Sequence, residues 1–418
     1  MKNHPPICYA CGDANLHFVL SLGQIPDADS FLTEDSPSKR QAVYPLVVFF
    51  CPNCALMQIA QPSPAAGRPR RRASLYSTAG GHSTRESSYK ASDLIQMRSL
   101  HSASLVVNVG SDDQSMLRGF VEHGISVVDV RSREVHSRMG WCMDDDTVLP
   151  SFNAKRASIL RGQAGSADVI IERHALERTD DPDDFVEGIH ILLKDDGLAI
   201  IEVPYVRDLI DRRAFDSINH DQLCYFSFTA LHHLLERHSL FANHVERLPA
   251  CGGSLRLHVG HEPAFGQSVR SLLEEEAAAE VDRVRYYETF AGRVRSIRDW
   301  LLDLLWGVKS RGKRIAAYWA DIRGATLINY LGIGTELIDF VVDPHTDLHG
   351  CYMAGKHLPI QPCERLLSSM PDYVLLLRWE RAEEIFKHEA EYLERGGVFI
   401  TPLPYPTCTS RRTTPRVR

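Results

Sequence analysis

The chain has 418 residues, a net charge of −7, and 44% hydrophobic and 24% charged residues. That is too long for one ordinary domain and rich enough in apolar residues for sizeable cores, and its mild acidity gives no reason to expect a nucleic acid or an anionic membrane as partner. No apolar run reaches the roughly 18 residues of a membrane span and MKNHPPICYACGD has no hydrophobic signal core, so a soluble, cytoplasmic protein is expected.

The first region carries CYAC at Cys8–Cys11 and CPNC at Cys51–Cys54, with β-like segments such as YPLVVFF between them. Two such knuckles present four thiolates to one tetrahedral Zn²⁺. With all four positions taken by Cys, that metal holds a fold together and does no chemistry. The other six cysteines are scattered singly, unlike a disulfide scaffold. SPAAGRPRRRAS, residues 63–74, reads as a linker, and LYSTAGGHSTRESS, residues 75–88, is small and polar before a helical stretch to about Leu100.

SLVVNVGSDDQSMLRGFVEHGISVVDV, residues 104–130, reads as strand, Gly turn, helix and strand. Met116, Leu117, Phe120 and Val121 are placed on one helix face. Gly110 lets a ligand approach the backbone, and Asp129, ending the second strand, is placed to accept hydrogen bonds from a ribose. A structural turn without a ligand reads the same way. ADVIIER is a third strand, DPDDFVEGIHILLKDDG a helix to Gly197, and LAIIEVPY a fourth strand. INHDQLCYFS follows, with Asn219, His220, Asp221 and Gln222 side by side ahead of Tyr225 and Phe226, which read as core. Ser227 is the expected N-cap of a helix through SFTALHHLLERHSL, and HVERLPACGGSLRLHVG closes the unit as a hairpin. Alternating strands and helices predict a mostly parallel α/β sheet.

A polar helical span runs from about Val269 to Lys309. KRIAAYWADIRGATLINYLG, LIDFVVDP and DYVLLLRWE then repeat the strand–turn–helix–strand pattern, and SRRTTPRVR is a basic tail.

Taken together, the paired CxxC knuckles, IEVPY, CYFSFTALHHLLERHSL, ERLPACGGSLRLHV, INYLGIGTELIDFVVD, LPIQP and GGVFITPLP resemble one family, the S-adenosylmethionine-dependent sugar C-methyltransferases of deoxysugar biosynthesis. The resemblance runs from Cys8 to Pro404. It implies an α/β chain with an N-terminal zinc-binding lobe (1–75), a class I methyltransferase Rossmann-like domain (76–265) and a helical linker (266–312). A second Rossmann-like domain (313–405) and a disordered tail (406–418) complete it. It implies S-adenosylmethionine and structural Zn²⁺ as cofactors and a dTDP-linked 4-keto deoxysugar as substrate, with monomer and dimer both open. Chemically, a ketone acidifies the neighbouring C–H, a base removes the proton, and the enolate attacks the sulfonium methyl.

The resemblance also assigns roles. Gly110, Asp113, Asp129 and His174 fall at cofactor-binding positions, and Tyr76, His82, Tyr205, Arg323 and Asn329 at substrate-binding ones. Residues 219–222 fall on the active-site loop, where the family looks like Tyr-His-Glu-His with the last His as base. Here Asn219 lacks a phenol, Asp221 is a shorter acid, and Gln222 accepts no proton. The family's Glu-x-Gly-x-Asn-Asp-Gly turn is NVGSDDQ, residues 108–114. Where the family has an Asn after the fourth strand and a His four residues later, this chain has His174 and Arg178. The family's Tyr-Gly-Ala-x-x-Lys-Gly is YWADIRG, with Trp319 in place of a Gly and Arg323 as a cation suited to a phosphate. Two readings stay open here. One is a C-methyltransferase whose base is His220 or Asp221. The other is a family member that binds a sugar nucleotide or a partner enzyme without methyl transfer, or runs another reaction through the same enolate.

Overall fold

The computed structural model describes residues 6–26, 41–61, 90–110, 114–130, 152–249 and 252–411. Tyr76, His82 and Asp113 lie outside them. Near the N-terminus, β1 (His17–Pro26), β2 (Val43–Phe50) and β3 (Met57–Ile59) form an antiparallel sheet. The two cysteine knuckles flank it as tight turns, closed by Gly12 N–H to Cys8 O at 2.9 Å and Ala55 N–H to Cys51 O at 2.9 Å. Gln58, fully buried, ties one knuckle to the sheet. It donates to the Ile7 carbonyl at 2.9 Å and accepts from the Tyr9 amide at 3.0 Å.

The central sheet holds β4 (Leu105–Val109), β5 (Ser126–Asp129), β6 (Ala167–Arg173), β7 (Leu193–Pro204), β9 (Phe241–Leu248) and β10 (Ser254–Gly260) in the order β5-β4-β6-β7-β10-β9. β8 (Cys224–Tyr225), which lies between β7 and β9 in the chain, belongs elsewhere. β4 to β7 run parallel, and β9–β10 is the antiparallel hairpin the sequence suggests. β4 is buried at every position, as a strand covered on both faces must be. The helix after it, Gln114–Glu122, buries Met116, Leu117 and Phe120, whereas Val121 faces solvent at 38% exposure. The helix Pro182–Leu192 ends five residues before Gly197, because Leu193 pairs with Ala167 and enters β7. Ser227 caps the helix Phe228–Arg237, accepting from the Ala230 amide at 3.0 Å.

β8 leaves this domain to join the N-terminal sheet, pairing Met57 with Tyr225 and Gln58 with Cys224. The loop just before it is thereby pinned between two lobes. A 27-residue helix, Val284–Ser310, about 40 Å long at 1.5 Å per residue, then crosses toward the last domain. Its buried residues, Tyr287, Phe290, Ala291, Val294, Ile297, Leu301, Leu305 and Val308, recur at helical spacing, and Tyr287 stacks on Phe50 at 4.0 Å.

The C-terminal sheet contains β11 (Ile315–Tyr318), β12 (Val341–Val342), β13 (Ile360–Gln361), β14 (Tyr373–Leu376), β15 (Val398–Thr401) and β16 (Thr407–Thr409), in the order β13-β12-β11-β14-β15-β16. All neighbours run parallel except β16, which pairs antiparallel with β15. Residues 407–409, read from the sequence as the start of a disordered tail, thus form an edge strand. They alternate small β-formers at the pairing register Phe399–Thr409 to Thr401–Thr407.

Candidate functional site

The four cysteine sulfurs lie within 4.8 Å of one another, with Cys8–Cys54 at 3.4 Å and Cys11–Cys51 at 3.6 Å. Tetrahedral Zn–S bonds of about 2.3 Å place sulfurs about 3.8 Å apart, so the set fits zinc and leaves no open position.

In the central sheet the strand order reverses between β4 and β6, and ligands of such sheets bind outside the carboxyl ends of the strands at that point. Gly110 sits there with φ +107°, and a Cβ on it would stand 2.7 Å from the Arg173 carbonyl and 2.8 Å from the Ala175 Cβ. Only glycine fits. Across β4–β5 the buried Asn108 donates to Asp129 Oδ1 at 3.0 Å, which fixes the acid at its strand end. His174, one residue beyond β6, has a left-handed backbone (φ +59°), and its Nδ1 lies 3.1 Å from Glu177 Oε1. Arg178 closes the short 3-10 turn Leu176–Arg178 that follows.

Two acids, Glu172 near the end of β6 and Glu177 in this turn, were not singled out from sequence. Glu172 is fully buried; its Oε1 accepts from the Ala175 amide at 2.8 Å and the Leu176 amide at 3.0 Å. Burial, with Glu177 adding to it, pushes the Glu172 carboxyl up to about 8. Glu172 Oε2 and Glu177 Oε2 are both buried and find no partner among the described residues. A signal existed, a Glu inside the apolar run of ADVIIER, just where a parallel strand reaches the crevice. Behind them Glu202 accepts from Arg173 at 2.8 Å and from Arg256 at 2.6 Å, locking the strand ends of β6, β7 and β10 together.

The loop before β8 is stitched on three sides. The Leu223 amide donates to the Glu177 carbonyl at 2.9 Å, and the Thr326 hydroxyl of the last domain to the Ile218 carbonyl at 3.4 Å. His220 is 2% exposed; its Nε2 lies 3.4 Å from the Pro45 carbonyl and its ring stands edge-on to Tyr44. Asn219 Oδ1 accepts from the Asp221 amide at 2.9 Å, its amide N–H donates to Tyr225 Oη at 3.1 Å, and Gln222 donates to the Cys224 carbonyl at 3.2 Å. Tyr225 and Phe226 are core, as expected.

The substrate-binding candidates are dispersed. Tyr205 is buried, its hydroxyl 2.8 Å from Glu276, a residue that also binds the first amides of the helix Phe228–Arg237. Asn329 donates to the Ala325 and Ala354 carbonyls at 2.8 and 3.0 Å. The bidentate bond that the sequence offered to a phosphate goes, in Arg323, to the buried Asp216 at 3.0 and 3.1 Å, with Glu380 as a further partner. Trp379 Nε1 donates to the same Asp216 at 3.0 Å. Asp216 precedes Arg323 by more than a hundred residues, so no local pattern announced the pair.

Family models match three consecutive stretches, a zinc binding domain over residues 8–66, a methyltransferase domain over 82–240 and a C-methyltransferase C-terminal domain over 249–404. The C-methyltransferase NovU of Streptomyces niveus is 30% identical over 414 residues, 97% of each chain. Two solved structures overlay only in part. The 1,6-didemethyltoxoflavin-N1-methyltransferase of Burkholderia thailandensis, bound to S-adenosylhomocysteine, is 15% identical with a TM-score of 0.28, over 49% of this chain and 94% of that one. A SAM-dependent methyltransferase of Aquifex aeolicus is 11% identical with a TM-score of 0.27, over 41% and 89%. Such distant overlays do not bear on the chemistry. No helix among the described residues is long and apolar enough to cross a membrane. The near-complete span of the NovU match, the three family models in register, the four-sulfur cluster and the Gly110–Asp129 crevice agree, and the chain belongs to the S-adenosylmethionine-dependent C-methyltransferases with an N-terminal zinc-binding domain.

Proposed function

We propose that the protein methylates a carbon next to the ketone of a dTDP-linked 4-keto deoxysugar, through an enolate, in the biosynthesis of a natural-product sugar. The observation that carries this reading is the match to the C-methyltransferase NovU over 97% of the chain, which spans all three lobes. Carbon methylation needs an acidic C–H, and a ketone next to it supplies one. S-adenosylmethionine, when bound, supplies an electrophilic methyl group. The protein's own work is to hold the ribose at Asp129, admit the cofactor over Gly110, and align the carbon with the methyl. It must also offer a proton acceptor, and the candidates are His174 with Glu177 after β6, and His220 and Asp221 on the loop before β8. None of the cysteines described is in a disulfide, which suits a reducing cytoplasm.

The test is incubation of the purified protein with S-adenosylmethionine and dTDP-4-keto deoxysugars, read by mass spectrometry and NMR. A product heavier by one CH₂, with the new methyl on carbon, is expected. Saturable binding of S-adenosylhomocysteine with no methyl transfer to any such sugar, and no binding of the sugar nucleotides, would sink the substrate assignment and leave the family membership standing.

A further inference from the structure

We propose that His174 is the base that takes the substrate proton, held by Glu177, and that this pair replaces the loop histidine whose place Gln222 occupies. The inference rests on the enolate reading above. Its ground is geometric. His174 follows β6 directly, at the point where the strand order of the central sheet reverses, and the Gly110 turn packs against its neighbours Arg173 and Ala175. A base that serves methyl transfer must reach the carbon that meets the methyl, so it belongs at this crevice. The backbone of His174 is held left-handed (φ +59°), an uncommon conformation for a residue with a side chain, and such outliers concentrate at functional sites.

Glu177 is 2% exposed, and its Oε1 stands 3.1 Å from His174 Nδ1. Facing a carboxylate, Nδ1 carries the hydrogen, and the neutral ring then keeps its lone pair on Nε2. The carboxylate also stabilises the imidazolium that forms when the proton arrives. His174's side chain is 29% exposed, whereas His220 is buried with Nε2 at the Pro45 carbonyl. Arg173 is paired with Glu202, and Glu172 lies beneath the turn, its carboxyl pushed up by burial first and by the neighbouring Glu177 second. Asp180, Cys224 and Tyr225 complete the surroundings on the loop side. Glu177 also fixes that loop, since its carbonyl accepts the Leu223 amide at 2.9 Å.

In the step itself His174 Nε2 takes the proton from the carbon beside the ketone, and the C–H electron pair moves into the enolate, with the charge on the ketone oxygen. With S-adenosylmethionine bound, the enolate carbon would receive its methyl group, the new C–C bond forming as the S–CH₃ bond breaks and that bond's electron pair stays on the sulfur. The imidazolium returns its proton to solvent.

The experiment follows deuterium uptake from D₂O at that carbon of a dTDP-4-keto deoxysugar, with S-adenosylhomocysteine present, by NMR. Uptake in His174→Gln should fall at least about 100-fold, the lower range for loss of a general base, while calorimetric affinity for the sugar nucleotide stays within about threefold of wild type, as expected for a group that acts in the transition state. Glu177→Gln should slow uptake and move the rate's rise to lower pH, with Glu177→Asp recovering part of the rate. In the ligand-free protein, the His174 ring signal should titrate about one unit lower or more in Glu177→Gln, the scale of a lost adjacent charge. Uptake that survives in His174→Gln, or an unmoved ring titration in Glu177→Gln, overturns the assignment. Uptake lost in His220→Gln but kept in His174→Gln returns the base to the loop. If the wild type binds both ligands yet neither exchanges nor methylates, the enolate reading fails and the base assignment falls with it.

Discussion

Each of the two parallel sheets ends its first strand in a residue with a left-handed backbone, Gly110 after β4 (φ +107°) and Trp319 after β11 (φ +81°). Both stand where the strand order reverses, between β4 and β6 and between β11 and β14. In the central domain this point carries a glycine, an acid at the next strand end and two buried carboxylate oxygens that find no partner among the described residues. In the C-terminal domain it is filled by protein. Trp319 packs between Arg378 and Arg381, at 5.8 and 5.2 Å, and against His345 at 5.7 Å. Arg378 is paired with Asp321 at 2.7 Å and Arg323 with Asp216 at 3.0 Å. The strand order reverses in both places, and the side chains set there differ in kind.

The largest effect should come from breaking the central turn. Gly110→Ala forces a side chain onto a left-handed backbone and drives its Cβ to 2.7 Å from a carbonyl oxygen that cannot rotate away. Strain and overpacking together should cost on the order of 3–5 kcal/mol, and calorimetry should find no S-adenosylhomocysteine binding. A variant that binds within tenfold of the wild type would mean that the turn yields and the crevice lies elsewhere.

Glu172→Gln should come next, with a marked pH dependence. The folded carboxyl sits near 8 against 4.5 unfolded, so the native state holds the proton more tightly. Stability is then unaffected below about pH 4.5 and falls as pH rises toward 8. The Gln variant escapes that loss and should be more stable than wild type by about 2–4 kcal/mol near pH 8.5, and equal to it near pH 4.5. Urea titrations at both pH values measure the gap; a gap that does not change with pH would show that Glu172 is ionised throughout.

At the filled crevice the contrast is between two replacements of one residue. Trp319→Ala removes a buried ring and keeps the backbone strain, for a loss of about 3–5 kcal/mol. Trp319→Gly removes the same ring and relieves the strain, so it should be less destabilising than Trp319→Ala by about 1 kcal/mol. Gly is normally the worse of the two, so the order of the denaturation midpoints decides the matter. Neither change should alter S-adenosylhomocysteine affinity if the two crevices are independent.

What the sequence made legible follows from the range of the forces involved. The CxxC pairs, the apolar run into Gly110, Asp129 at its strand end and the Ser227 cap are patterns of a few residues, and each is where the pattern places it. Val121 fell off the predicted helix face because the stripe is narrower than four residues in six. Lost altogether were features made by distant segments. β8 is two residues long and finds its partners, Met57 and Gln58, in the zinc lobe far earlier in the chain. The fork of Arg323 closes on Asp216 of another domain. Thr407–Thr409 becomes a strand because β15 offers an open edge, not because its own residues demand one. The Glu172–Glu177 pair was missed for a different reason. An acid next to an Arg at a strand end looks solvated until the fold buries it.

The smallest expected effect sharpens the same comparison, because it asks whether the filled crevice is still an electrostatic site. His345 Nδ1 donates to the fully buried Asp343 at 2.7 Å, and that hydrogen bond raises the ring's pKa above its ordinary value, with burial and Arg378 opposing. The sign is opposite in kind to that of a depressed carboxylate. The folded state prefers the charged ring, so the contribution is fully present below the unfolded value of about 6.5 and is lost as pH rises through the raised folded value. His345→Gln should therefore be less stable than wild type near pH 5.5, and the gap should shrink toward alkaline pH. Because the ring is partly solvated, the pH-dependent part should stay under about 1 kcal/mol. Thermal melts of both proteins at both pH values measure it. A gap that grew with pH would mean that the neutral ring is the one the fold prefers. The second crevice would then hold its charge balance through Arg378 and Asp321 alone, without the histidine.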